Sequence, residues 1–198
     1  MSIAVGSVVG TQLAVTRLGT KAVVFVGLLM LTVAFAWVAT VDVDVAYLEV
    51  AAQMVVLGGG LGLTTAPATD SIMGVVRPEQ AGAGFAVNDA TRQIGGTLGV
   101  AVVGSIFSTL YIGYLADSEI LRAAPEFAQS TAREGLAQGL QVAAQAPAPV
   151  AEVMRDTVSD AFMAGLHAGC LTAAAVCLVG AVFVLAFLPA HPKKVIPA

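Results

Sequence analysis

The sequence predicts an all-α integral membrane protein with four full transmembrane helices and a partial helix at its N-terminal end. Three observations predict it. Only 11% of the 198 residues are charged, against roughly 25% in a soluble domain. The uncharged runs match a bilayer in length, since a hydrocarbon core about 30 Å thick takes roughly twenty helical residues at about 1.5 Å each. The basic residues, finally, gather in short connections at the ends of these runs. The same composition excludes other classes. A net charge of −4 leaves no basic surface for nucleic acid, and a mean hydropathy of +0.88 is opposite to that of disordered chains.

The elements follow in order. Ile3 to Thr16 carry no charge but are short for a span, and Met1-Ser2 lack the basic start of a signal peptide. Residues 1–16 therefore read as the end of a transmembrane helix. After Arg17 and Lys21, the nineteen residues Ala22 to Thr40 form the first full span, followed by Asp42 and Asp44. The second run, Val50 to Thr69, is interrupted by Asp70 and resumes to Val76, where Arg77-Pro78-Glu79 ends the helix. A third begins near Ala81, carries Asn88, Asp89, Thr91, Arg92 and Gln93 early, and then runs from Ile94 to Leu110 without a charge. Residues 17–112 thus hold three spans with short loops.

Residues 113–160 differ in composition, with seven acids against Arg122, Arg133 and Arg155. They read as a partly helical extracytoplasmic loop, with one helix over 126–145 that Ala146-Pro147-Ala148-Pro149 would end. The last span lies within 161–190, and residues 191–198 form a basic tail containing Lys193 and Lys194. The positive-inside rule puts the Arg17/Lys21 turn, the Arg77 turn and the C-terminus in the cytoplasm, and the acidic loop outside.

Ionisable residues within spans are costly, about 2.5 to 3.5 kcal/mol each at a helix centre, and usually face a bundle interior or a watery path. Asp70, Asp89 and Arg92 qualify. Asn88, Asp89, Arg92 and Gln93 are spaced three or four apart, which lines them along one side of a helix and permits an internal Asp89–Arg92 pair. Two readings stay open for this cluster: a substrate or proton pathway, or a snorkelling, purely structural group at the membrane interface. For Asp70 the alternative is a charge hydrated near the helix end.

Glycine forms the second constellation. Gly58 with Gly62, and Gly95 with Gly99, are Gly-x-x-x-Gly pairs inside apolar runs. Small residues four apart let helices approach closely in lipid, so these positions predict packing, and Pro67 predicts a local loosening of the second span. Neither cluster has the strand-to-helix context or the Lys of a phosphate-binding loop. His167, Cys170 and Cys177 lack a fourth donor, so no metal site is expected. Cys170 and Cys177 are two turns apart on one helix, roughly 10 Å, too far to bridge there. No catalytic constellation is apparent, so neither an enzyme nor a cofactor is expected.

Gly10 to Lys21, with Gly10, Arg17, Gly19 and Lys21 at its key positions, resembles the cytoplasmic loop motif of the major facilitator superfamily, although the motif's Asp is missing. Gly58 to Pro67, Arg77 to Gly84 and Asn88 to Ala101 resemble the late helices of that superfamily's fourteen-span drug:proton antiporter branch. The resemblance implies a major-facilitator-like C-terminal bundle covering the end of one helix and the last four spans of a transporter. It further implies export of drugs or other amphipathic molecules by proton antiport and alternating access, in the plasma (inner) membrane. Arg17, Gly19 and Lys21 would then belong to the cytoplasmic gating loop, and Asn88, Arg92 and Gln93 to the family's polar helix start. The implied partners are a small-molecule substrate, protons, the lipid bilayer and an N-terminal half. The rival expectation is a small free-standing membrane protein acting by helix contacts or self-association.

Overall fold

A computed structural model of the chain describes residues 19–43, 45–74 and 76–188. Within them there are helices and no strands. Helix α1 (Gly19–Val38) leads through a short turn into α2 (Tyr47–Met73). A 3-10 turn, Pro78–Gln80, opens the long α3 (Ala81–Asp117). Three short helices follow, α4 (Glu119–Arg122), α5 (Glu126–Arg133) and α6 (Leu136–Gln145), before the long α7 (Ala148–Phe187). Helices α1, α2, α3 and α7 are each long and apolar enough to cross a membrane. The chain is thus an all-α, multi-pass membrane protein. The expected partial helix over 1–16, Gly10 and Arg17, and the tail 191–198 lie outside the described residues.

Helix α1 packs against both α2 and α7, and α7 packs in addition against α3, α4 and α6. The α1–α2 contact depends on glycine. A methyl group at Gly27 would overlap the Thr64 hydroxyl and come within 3.0 Å of the Gly60 carbonyl, and one at Gly60 would come within 3.0 Å of the Gly27 carbonyl. Only hydrogen at both positions lets the two backbones meet, which is how helices associate where apolar lipid supplies no hydrophobic drive. Gly58, Gly62 and Pro67 are buried in the same helix. The helix runs on past Pro67, whose carbonyl accepts the Ser71 hydroxyl at 2.8 Å.

Helices α3 and α7 are longer than their apolar runs. At about 1.5 Å per residue they measure roughly 55 and 60 Å, nearly twice the hydrocarbon thickness. Their excess carries α4, α5 and α6 as a helical cap. Tyr111, Leu115, Leu121, Ala132, Ala143, Met154, Val158 and Ala161 form its core. The buried Tyr111 hydroxyl donates to the Ala132 carbonyl at 2.8 Å. Glycine again permits close approach, because a methyl group at Gly139 would meet Val158 at 2.6 Å.

Residues 113–160 therefore differ from the expected loop. Their first five residues complete α3 and their last thirteen begin α7. The single helix expected over 126–145 is broken at Gly135, whose φ of 156° and ψ of 176° are a conformation essentially reserved for glycine. Pro147 both follows the end of α6 and caps α7. A proline there lacks only an amide that a helix start leaves unpaired.

Candidate functional site

The polar residues of α3 lie two to three turns after its start. Asn88 is half-exposed, and Asp89, Arg92 and Gln93 are exposed. Asp89 accepts a hydrogen bond from the Gln93 amide at 2.7 Å, one turn on. The Asp89–Arg92 pair that the spacing permits is not formed, and the ion pair among the described residues joins Arg122 to Asp117 at 3.2 Å. The four-residue spacing wins because it stacks the two side chains along the helix. Arg92 makes no ion pair among the described residues.

At 3.6 residues per turn, Asn88, Arg92, Gly96 and Gly99 fall within about a quarter-turn of one another, with Val87, Ile94 and Leu98 opposite. Both sides are exposed here, Val87, Ile94 and Leu98 as much as the polar, glycine-rich side. Methyl groups placed at Gly95, Gly96 or Gly99 would meet nothing within 4 Å. The close packing expected of Gly95 and Gly99 is accordingly not made among the described residues. Nearer the cap, the two long helices do touch: methyl groups at Gly165 and Gly169 would meet Phe107 at 2.8 Å and Val103 at 3.3 Å. The helices thus join at Val103 and Phe107 and part from Gly99 downward. A cleft of about 460 Å³ sits where they part, walled by Phe35, Gly99, Val103, Phe107, Gly169 and Cys170.

The contacts at Phe107–Gly165 and Val103–Gly169 also set a level. Continued down the antiparallel pair, they put Asp89 roughly abreast of Phe183 and Arg92 of Gly180, within the apolar length of α7. Asn88 additionally lines a groove of about 460 Å³ with Val76, Gln80, Gly84, Val87 and Thr91, beside the turn joining α2 to α3.

The other predicted residues lie apart from this stripe. Asp70 is exposed in the last turns of α2. Gly19, with φ 74°, opens α1 in a left-handed conformation that suits glycine, and Lys21 is half-buried in the first turn.

Three features escape sequence reasoning. The His167 Nε2–H donates to the Val41 carbonyl at 2.8 Å, tying α7 to the α1–α2 turn. The Trp37 indole donates to Glu49 at 3.0 Å across the same turn. Gln53 is 2% exposed, and its amide nitrogen has no partner among the described residues. Spacing signals local pairs such as Asp89–Gln93, but His167 and Val41 are 126 residues apart and meet only through tertiary packing.

No protein-family profile matches the chain. Among curated proteins it is 27% identical to the multidrug transporter protein MdtP of Bacillus subtilis, over 96% of this chain and 38% of that one. It is 26% identical to the multidrug efflux pump LfrA of Mycolicibacterium smegmatis, over 86% of this chain and 34% of the relative. It is 27% identical to the tetracenomycin C resistance and export protein of Streptomyces glaucescens, over 92% of this chain and 35% of the relative. The chain therefore spans between a third and two fifths of the length of these relatives, which are by name a multidrug transporter, an efflux pump and an export protein.

Proposed function

We propose that this chain supplies the last four membrane helices of a major-facilitator drug exporter of the fourteen-span, proton-coupled branch. Amphipathic small molecules would be its cargo, and alternating access in the plasma membrane its mechanism. The observation that carries this reading is the similarity to a multidrug transporter and to an antibiotic export protein along nearly the whole chain. The open side of α3 supports it. A stripe bearing Asn88, Asp89, Arg92 and Gln93 at membrane depth would cost several kcal/mol if it faced lipid, and much less if it faced a water-filled path or a second bundle. Two bundles around a central site are the general architecture of such carriers.

In this reading Arg92 is the fixed positive charge of the stripe, and Asp89, paired with Gln93, is its exchangeable acid. Gly95, Gly96 and Gly99 provide a smooth track along which the opposing bundle slides. The acidic cap faces outward and the α2–α3 turn faces the cytoplasm, together with the C-terminus. Arg17, Gly19 and Lys21 belong to the cytoplasmic gating loop.

The test is a chimaera in which this chain replaces the matching stretch of the Bacillus subtilis relative. In everted vesicles, export of a fluorescent amphipathic cation such as ethidium should consume the proton gradient. Arg92→Ala and Gly99→Leu should each reduce export at least about tenfold, equivalent to roughly 1.4 kcal/mol in the barrier. Unchanged export in both variants would contradict the assignment. The open α3 face also supports a second reading, self-association of this chain through that face. A defined homo-oligomer in detergent, lost in Gly99→Leu, would favour it.

A further inference from the structure

A cavity lies in the cap, away from the polar stripe of α3. It measures about 590 Å³ and is bounded by α4, α5, α6 and the start of α7. Pockets for drug-sized molecules have volumes of about 300 to 1,000 Å³, mostly apolar walls and a few polar groups that fix orientation. This cavity has all three properties. Phe127, Val142 and Met154 supply apolar wall, and Phe127 stands 78% exposed at the rim. Thr131, Gln141 and Gln145 supply polar ends that make no side-chain hydrogen bond to a described residue.

Charge decides the occupant. None of the lining residues is charged, although the cap is rich in acids and arginines. Arg122, the neighbour best placed to answer an anion, is turned back onto the Ala116 carbonyl at 2.7 Å and onto Asp117. A phosphate headgroup or a cation would leave water for a wall that offers no counter-charge. A neutral, largely apolar molecule with one or two carbonyl or hydroxyl groups loses little water and gains the amide and hydroxyl partners.

We propose that the cap cavity is a binding site for a neutral, largely apolar small molecule of drug size. Such binding is separate from transport and stands on the cap's geometry alone. The test uses the full chain in phosphatidylcholine nanodiscs, with Trp37→Phe to silence the native indole and Phe127→Trp to place one at the cavity rim. The probe is N-phenyl-1-naphthylamine, which is neutral and quenches a nearby indole.

Saturable quenching is expected, with affinity reduced at least tenfold by Gln141→Arg, which sets a charge in the wall, and by Ala128→Phe, which fills the space. Gln141 is exposed, so its replacement leaves the cap core intact. Quenching that rises without saturating, or that is equal in both variants, would overturn the proposal. Quenching that saturates only after lipid is exchanged for detergent would assign the cavity to an acyl chain and overturn it equally. A chain that binds the probe while the chimaera exports nothing would contradict the export reading alone.

Discussion

Gln53 and Gly27 show how single residues carry the α1–α2 pair, one at a cost and the other as a condition. The buried Gln53 amide has no partner among the described residues, and a buried polar group without a partner costs about 1 to 3 kcal/mol. Gln53→Leu should therefore raise the thermal midpoint in detergent, by an amount matching about 1 kcal/mol or more. A fall would show that the amide has a partner in solution. Gly27→Val should do the reverse, because the added carbons overlap Thr64 and the Gly60 backbone. Overpacking of this kind costs roughly 1 to 3 kcal/mol, readable as a lower midpoint, whereas Gly99→Leu meets open space and should leave the midpoint unchanged. Glycine content alone marks both Gly58–Gly62 and Gly95–Gly99 as packing pairs. What it cannot show is which glycines have a neighbour: the tight α1–α2 crossing falls on Gly27 and Gly60, while Gly95 and Gly99 face open space.

Among the elements, the spans are legible and the cap is not, for a physical reason. Hydropathy reports solubility in lipid, so it locates the apolar parts of α1, α2, α3 and α7 and stops where charges begin. A helix need not stop there. Glu152, Arg155, Asp156 and Asp160 are exposed on α7 while Met154, Val158 and Ala161 on its other side are buried under α4 to α6. That pattern is an ordinary amphipathic helix continuing out of a membrane span. The break at Gly135 is hidden because residues good for helices surround it. Two substitutions test the cap as a unit. Tyr111→Phe removes the donor to the buried Ala132 carbonyl and should cost about 1 to 3 kcal/mol. Gly135→Ala places a side chain in a conformation that costs about 1 to 3 kcal/mol. Both should speed proteolysis between α4 and α6. Cleavage unchanged from the parent would mean that the cap is not held by this core.

For the whole molecule, the central relation is between a closed upper part and an open lower part. Phe107 and Val103 hold α3 against α7 beneath the cap, and from Gly99 downward the two helices part, so that α3 is exposed on its polar, glycine-rich side and on its Ile94 and Leu98 side alike. The polar residues of that side were legible as a stripe from spacing alone. Their depth was not, since it depends on the register of α3 against α7, and this is what separates a path from an interfacial anchor. The three relatives to which the chain is similar are each more than twice its length.

Water exposure of that side is measured most directly by cysteine substitution at Asn88, Arg92, Ile94 and Leu98, in a Cys170→Ala, Cys177→Ala background. The chain, or the chimaera that carries it, is labelled in native membranes with a membrane-impermeant thiol reagent. Labelling at 88 and 92 with protection at 94 and 98 is the expected result, because it requires water along the polar side of α3 and lipid or protein along the other. Protection at all four positions, or labelling confined to 94 and 98, would contradict a polar path through this helix.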